Sequence, residues 1–165
     1  MKKYSLIEFI CSLTLLLLPA LYGFSVSRRL PQVMSSRFDL AGNVTTYMDK
    51  HLFLILIPLF MLAAQLLVFG ASIAKPLLNK NFEHLIRWII PLINLIIYPA
   101  TIYRNLHQGF PMTKLAFLSI GLLLVVLGNY LPKKVQADRE PMNRKWAYLF
   151  VLLGFITFIV SIFYL

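Results

Sequence analysis

The residue types able to recognise or transform a ligand are concentrated in two polar segments of this chain. The first lies within residues 28–50 and contains Leu30-Pro31, Phe38-Asp39, Gly42 and Lys50; the second is Gly128-Asn129-Tyr130-Leu131-Pro132-Lys133. Each segment adjoins a long hydrophobic run, so each is expected at a boundary between membrane and water. Aromatic side chains and charges of both signs at such a boundary favour recognition of a ligand over bond-making chemistry.

The first segment offers the better candidates for binding, because large aromatic and charged side chains dominate protein recognition. The candidate peptide-recognition residues are Arg37, Phe38, Asp39, Gly42, Tyr47, Asp49 and Lys50. A structural interpretation of the same residues stays open. In it Pro31 stops a helix, Gly42 forms a turn, and Asp39 caps that turn or pairs with Arg28, Arg29 or Lys50.

Catalytic patterns are weak in this sequence. Three histidines, at positions 51, 84 and 107, stand far apart, and the single cysteine, Cys11, excludes an intramolecular disulfide and a cysteine-based metal site. No phosphate-binding loop or nucleophile elbow occurs. We therefore expect no enzyme activity, no cofactor and no metal. A membrane hydrolase built from His51, His107, Asp39 and Asp49 is the less favoured alternative.

The composition predicts an integral membrane protein. Hydrophobic residues make up 59% of the chain and charged residues 13%, and the mean hydropathy is +0.77. Soluble domains average about 25% charged residues. The net charge of +10 is carried by Lys and Arg that flank apolar runs, so it favours orientation in a lipid bilayer over nucleic-acid binding.

Five runs without Lys, Arg, Asp or Glu predict an all-α, polytopic bundle with about five transmembrane helices in one domain. The helices are expected at about 6–27, 51–74, 86–104, 114–132 and 146–165, with an ordered outer loop at 28–50. The third run is short and contains Pro91, Asn94 and Pro99. We expect it to span, extended by Arg87 and Arg104 at its ends; a re-entrant helix is the alternative.

The distribution of Lys and Arg predicts the orientation of these helices. With five spans, ten of the cationic residues fall on the side of the amino terminus and six on the other side. Positive charge is enriched on the cytoplasmic side. We therefore expect a cytoplasmic amino terminus, an extracellular carboxyl terminus and an outward-facing first loop. A cleavable signal peptide ending near Ser25-Val26-Ser27 is the alternative to a retained first helix.

The connections between helices carry further expectations. Gly42-Asn43 favours a tight turn in the first loop, whereas the β-prone residues 44–47 are too few to predict a strand. Residues 75–87 are expected to form a basic inner loop. The short loop at 104–114 predicts that the third and fourth helices are antiparallel neighbours, and the charged loop at 133–145 is expected in water.

Polar residues inside the hydrophobic runs are few: Gln65, Asn94 and, at the end of the fourth run, Asn129. Such amides usually hydrogen-bond between helices, and the alternative is that Gln65 and Asn94 line a peptide or ion pathway. Glu8 is expected to be an interfacial charge near Lys2 and Lys3. Glycines at 121 and 128 lie seven residues apart and favour close approach of a neighbouring helix.

Two motifs resemble those of a known family. Leu30-Pro31, Phe38-Asp39, Gly42 and Lys50 resemble the DUF1648 domain of bacterial membrane proteins, and Gly128-Asn129-Tyr130-Leu131-Pro132-Lys133 resembles the signature of the SdpI immunity proteins. The motifs span residues 30–133. Arg37 occupies the position where the family usually has His, and the chain after Lys133 departs from the family pattern.

The resemblance implies a short relative of the SdpI proteins in a bacterial cell membrane, giving immunity or bacteriocin resistance. The partner of the protein would be a secreted toxic peptide, which is sensed through the outer loop. The protein would act as a monomer, as a homo-oligomer or together with another membrane protein. An accessory subunit of a membrane transporter complex is the alternative from a different functional class.

Overall fold

A computed structural model of the chain describes residues 3–39, 41–107, 109–135 and 140–163. Its helices are α1 (Lys3–Ser25), α2 (Lys50–Ala74), α3 (Lys80–Leu106), α4 (Met112–Tyr130) and α5 (Arg144–Phe163), its strands are β1 (Val33–Phe38) and β2 (Val44–Asp49), and a 3₁₀ turn covers Ser27–Arg29. The predicted positions at Lys2, at 136–139 and at the end of the fifth helix, 164–165, lie outside the described residues.

All five helices are long and apolar enough to cross a membrane, by length and composition. The expected all-α, polytopic fold is therefore confirmed, with one small two-stranded sheet added to it. Glu8 of α1 contacts Arg87 near the start of α3, and Ser35 of β1 contacts Asn105 near the end of α3. The two contacts lie at opposite ends of the bundle, and we call the end that carries the sheet the hairpin end.

The third helix is longer than predicted. It has 27 residues and begins at Lys80, whereas the sequence suggested a start near residue 86 and a loop through residue 87. The side chain of Asn79 caps it by accepting a hydrogen bond from the Phe82 N–H. The prediction was wrong here because a search for uncharged runs stops at Glu83 and Arg87, and this helix buries both charges against each other.

The loop after α1 folds into a β-hairpin, which the sequence did not predict. Strands β1 and β2 pair antiparallel, with a register irregularity between Ser35 and Phe38. Gly42 adopts a φ of 84° in the connecting turn, a conformation open to glycine. The strands were missed because an alternation of apolar and polar residues over only six positions is a weak signal in a sequence. In the structure the strands are stabilised by packing on the helices beneath them.

The hairpin rests on the helices through a hydrophobic cluster. Leu30 and Met34 from the loop and β1 pack with residues of α2 and α3: Phe53, Leu54, Tyr98 and Ile102. Met34 is fully buried, while its neighbour Val33 is 58% exposed. The alternating pattern therefore places one face of the hairpin on the bundle and leaves the other face free.

Helix α5 packs chiefly against α4, as an antiparallel pair. A Cβ atom on Gly128 would lie 2.9 Å from the Ala147 carbonyl oxygen, and one on Gly154 would lie 2.8 Å from the Gly121 carbonyl oxygen. The predicted close approach at Gly121 and Gly128 is thus confirmed, and Gly154 completes it from the other helix. Ser161 adds a hydrogen bond of 3.0 Å to the Lys114 carbonyl.

Candidate functional site

The hairpin is held in place by the side chain of Asn105, which lies in the last turn of α3. Its Oδ1 accepts a hydrogen bond of 2.7 Å from the Ser35 N–H, and its Nδ2 donates one of 3.0 Å to the Ser35 carbonyl. Nδ2 also donates to the Thr101 carbonyl at 2.8 Å, which fixes the amide. Asn105 therefore acts like a third strand at this one position and aligns β1 with the helices.

Replacing Asn105 with Ala should loosen the hairpin while the helices stay folded. The Ser35 N–H and carbonyl would lose their partner, at a cost of about 1 to 3 kcal/mol. We expect amide hydrogen exchange in β1 to accelerate by about 5- to 150-fold. Asn129→Ala is the control, because Asn129 is exposed at the other end of the bundle. Unchanged exchange at Ser35 would contradict the role of Asn105.

Beside the hairpin lies a cleft of about 360 Å³ between β1, α3 and α4. It is lined by Ser36, Arg37, Phe38, Asp39, Thr45, Ile97, Thr101, Met112, Thr113, Ala116, Phe117 and Ile120. Three of the predicted recognition residues, Arg37, Phe38 and Asp39, therefore belong to one concave surface. The residues that α4 contributes were not predicted, since nothing in the sequence indicates that the start of α4 lies beside the hairpin.

The turn at one edge of the cleft is built by Asp39, as the structural interpretation held. Its Oδ1 accepts from the Asn43 N–H at 2.8 Å and its Oδ2 accepts from the Asn43 side-chain amide at 3.0 Å. The side-chain bond and then the backbone bond from Asn43 lower the pKa of Asp39 below its usual value. Among the described residues no ion pair joins Asp39 to Arg28, Arg29 or Lys50, so of the two expected roles of Asp39 the structure shows capping of the turn.

The remaining candidates of the first loop lie outside the lining of the cleft. Tyr47 projects from β2 and is 63% exposed. Asp49 caps α2 by accepting hydrogen bonds from the N–H groups of His51 and Leu52, at 2.8 and 3.3 Å. Lys50 is buried, with 9% exposure, where α2 leaves the hairpin. These positions shape the junction between sheet and helix, and Gly42 shapes the turn.

The embedded amides Gln65 and Asn94 hydrogen-bond between helices. Gln65 Nε2 donates to the Ser12 hydroxyl at 3.2 Å and to the Arg87 carbonyl at 2.8 Å, and Asn94 Nδ2 donates to the Leu16 carbonyl at 2.8 Å. This geometry supports interhelical bonding over a pathway. Asn129 differs from both, because its side chain is exposed on the last turn of α4 and accepts from Lys133 Nζ at 3.3 Å.

A buried ionic cluster occupies the end of the bundle opposite the hairpin. Arg87 binds Glu8 of α1 at 2.9 Å and Glu83 one turn earlier, and its Nε donates to the Ser72 hydroxyl at 3.2 Å. His84 binds the other oxygen of Glu8 at 2.8 Å. The partners that the structure shows for Glu8 both come from α3. Lys2 and the side chain of Lys3, near which Glu8 was expected, lie outside the described part of the chain.

The second motif forms a corner at that same end. Tyr130 packs on Phe82 of α3 with ring centroids 4.9 Å apart, and Lys133 Nζ lies 4.6 Å from the centroid of the Tyr130 ring. The Leu78 N–H donates to the Val135 carbonyl at 2.9 Å and so joins the α2–α3 connection to the α4–α5 connection. The motif thus anchors α4 to α3.

The histidines are dispersed. His84 belongs to the ionic cluster, and His107 stacks on Tyr103 with ring centroids 4.3 Å apart. In the part of the chain that the structure describes, no group of three or more His, Cys, Asp or Glu side chains is arranged to hold a metal ion. Comparisons with protein-family models, curated proteins and solved structures found no significant match to this chain.

Proposed function

We propose that this chain is a bacterial membrane protein that recognises a secreted peptide in the cleft beside the hairpin and thereby protects the cell or senses the peptide. The observation that carries the proposal is the convergence of Arg37, Phe38 and Asp39 on one cleft with the start of α4. The resemblance of the two motifs to DUF1648 and SdpI proteins supports the same function.

The chemistry of the cleft suits a peptide side chain. Phe38, Phe117 and Ile97 supply apolar walls, and Arg37 and Asp39 supply charges of both signs. A volume of about 360 Å³ falls at the lower end of the roughly 300 to 1,000 Å³ typical of ligand pockets. The cleft is therefore large enough for one or two residues of a peptide, and the rest would lie along the exposed hairpin.

Order in the free protein supports binding as well. The hairpin is fixed by Asn105 and by the buried side chain of Met34, so the cleft needs little rearrangement before a peptide enters. Preorganisation lowers the entropic cost of association. The excess of Lys and Arg at the opposite end supports a cytoplasmic location for that end, and the hairpin then faces the source of a secreted peptide.

Replacing Phe38 with Ala should abolish most of the protection while the protein still inserts. Removal of a central aromatic anchor commonly costs 2 kcal/mol or more, which is roughly a 30-fold loss of affinity. The measurement is survival of a sensitive bacterium that expresses the protein, challenged with peptides secreted by the source strain, at equal membrane levels of each variant.

Val33→Ala is the matched control, because Val33 lies on the same hairpin but faces away from the cleft. It should protect as well as the wild type. Equal loss in both variants would assign the effect to hairpin stability instead of recognition. Absence of protection by the wild type would argue against immunity and favour the transporter-subunit alternative, which predicts co-purification with another membrane protein.

A further inference from the structure

A second cavity adjoins the cleft at the hairpin end. It has a volume of about 210 Å³ and is lined by Ala41, Gly42, Arg104, Gly109, Phe110, Pro111, Met112, Thr113 and Lys114. Met112 and Thr113 line both spaces, so the first turn of α4 separates them. A ligand that fills the cleft can therefore place a neighbouring group in the second cavity.

The second cavity is positively charged. Arg104 comes from the last turn of α3 and Lys114 from the first turn of α4. Within the described parts of the chain, neither forms an ion pair with a carboxylate. The amino end of α4 adds to the positive electrostatic potential of the cavity. Pro111, the cap residue, has no side chain that accepts a hydrogen bond, so the partial positive charge of the first N–H groups is not offset there. The lining contains no acidic residue.

A hydroxyl without a partner lies where the two spaces meet. Thr113 Oγ1 is buried and has no hydrogen-bond partner in the described structure. A Cβ atom on Gly42 would lie 3.2 Å from this oxygen, so the turn of the hairpin passes directly over it. Buried hydroxyls are nearly always hydrogen-bonded, and a ligand atom at the junction would supply the missing acceptor.

We propose that the second cavity binds the C-terminal carboxylate of a peptide whose terminal apolar side chain occupies the cleft. This inference rests on the proposed function. In a C-terminal residue the carboxylate and the side chain are both attached to the Cα atom, so they occupy neighbouring positions. The cleft and the second cavity are neighbours in the same way, since Met112 and Thr113 line both. Arg104 and Lys114 pair with the carboxylate, and the Thr113 hydroxyl donates to it.

The charge of Asp39 does not oppose this arrangement strongly. Asp39 lines the cleft but not the second cavity, and both its oxygens already accept hydrogen bonds from Asn43. A phospholipid phosphate fits less well, because a glycerol unit separates it from the apolar chains. The site therefore favours a free peptide carboxylate, and a lipid phosphate is an outcome that the test distinguishes.

The test uses two synthetic random hexapeptide libraries, one with free C-terminal carboxylates and one with C-terminal amides. The full chain in phosphatidylcholine nanodiscs is incubated with both, and captured peptides are quantified by mass spectrometry. The wild type should capture at least about ten times more acid than amide peptide, and this ratio should fall to about one in the R104Q/K114Q variant.

Two controls keep the result specific. Arg28→Gln with Arg29→Gln removes the same charge from the hairpin end, at exposed positions outside both spaces, and should keep the wild-type ratio. Lys114→Arg preserves the positive charge and should also keep the wild-type ratio of acid to amide peptide. This control distinguishes an effect of charge from an effect on folding.

Three outcomes would overturn the inference in distinguishable ways. A wild-type ratio near one, with capture that still depends on Phe38, would reject the carboxylate site and leave the proposed function standing. Capture of neither library would reject both. Retention of added phosphatidylglycerol that depends on Arg104 and Lys114, with a ratio near one, would assign the cavity to lipid phosphate.

Discussion

Replacing Arg87 with Met should destabilise the bundle by about 3 to 5 kcal/mol, the cost typical of removing one partner from a buried charge cluster. The side chain of Arg87 is 7% exposed, and those of Glu8 and Glu83 are 10% and 6% exposed. Without the guanidinium group, two carboxylates would face each other in a space with little access to water. The Ser72 hydroxyl would also lose the donor that now approaches it.

The measurement is the unfolding transition of the purified protein in nanodiscs, followed by circular dichroism. Arg144→Met is the matched control, since Arg144 is exposed at the start of α5. A triple variant that adds E8Q and E83Q to R87M should recover much of the loss, because no buried charge then stays unpaired. Lys80, which loses Glu83 as its partner, has a side chain that is 63% exposed and stays hydrated. If R87M unfolds like the wild type, or the triple variant is no more stable than R87M, the cluster does not hold the helices together.

Replacing Gly154 with Leu should separate α5 from α4. A Cβ atom at this position would lie 2.6 Å from Val125 Cγ2 and 2.8 Å from the Gly121 carbonyl oxygen. The second contact is with backbone, which cannot move aside without shifting a helix. Overpacking commonly costs about 1 to 3 kcal/mol, and a backbone clash in a glycine-lined interface should reach or exceed the upper value.

Gly70→Leu provides the control for this substitution. Gly70 is also helical, but a Cβ atom there would meet nothing within 4 Å apart from the neighbouring backbone of its own helix. Unfolding of both variants should be followed together with quenching of Trp146 fluorescence by lipid-soluble quenchers, since Trp146 lies at the start of α5. The second tryptophan, Trp88 of α3, is replaced by Phe in both variants so that the signal comes from Trp146. An unfolding transition of G154L equal to that of G70L would contradict the proposed closeness of the two helices.

Several features of this protein follow from the sequence alone. Helix number, the polar segment between the first two helices, and the close approach at Gly121 and Gly128 were all predicted correctly. Each depends on properties of one segment: its length against the thickness of a bilayer, its hydropathy, or the absence of a side chain. Aromatic and charged residues clustered in a single loop, Arg37 to Asp39, also marked one wall of the cleft.

Tertiary structure decided the remainder, because the relevant partners are far apart in the chain. Glu8 and Arg87 are 79 residues apart, and Asn105 and Ser35 are 70 apart. A charge inside an apolar run looks like a helix boundary until its partner on another helix is known. The six residues of β1 look like a loop until the amide beneath them aligns a strand. The cleft and its cationic neighbour exist because α4 starts beside the hairpin, and packing between distant segments determines that arrangement.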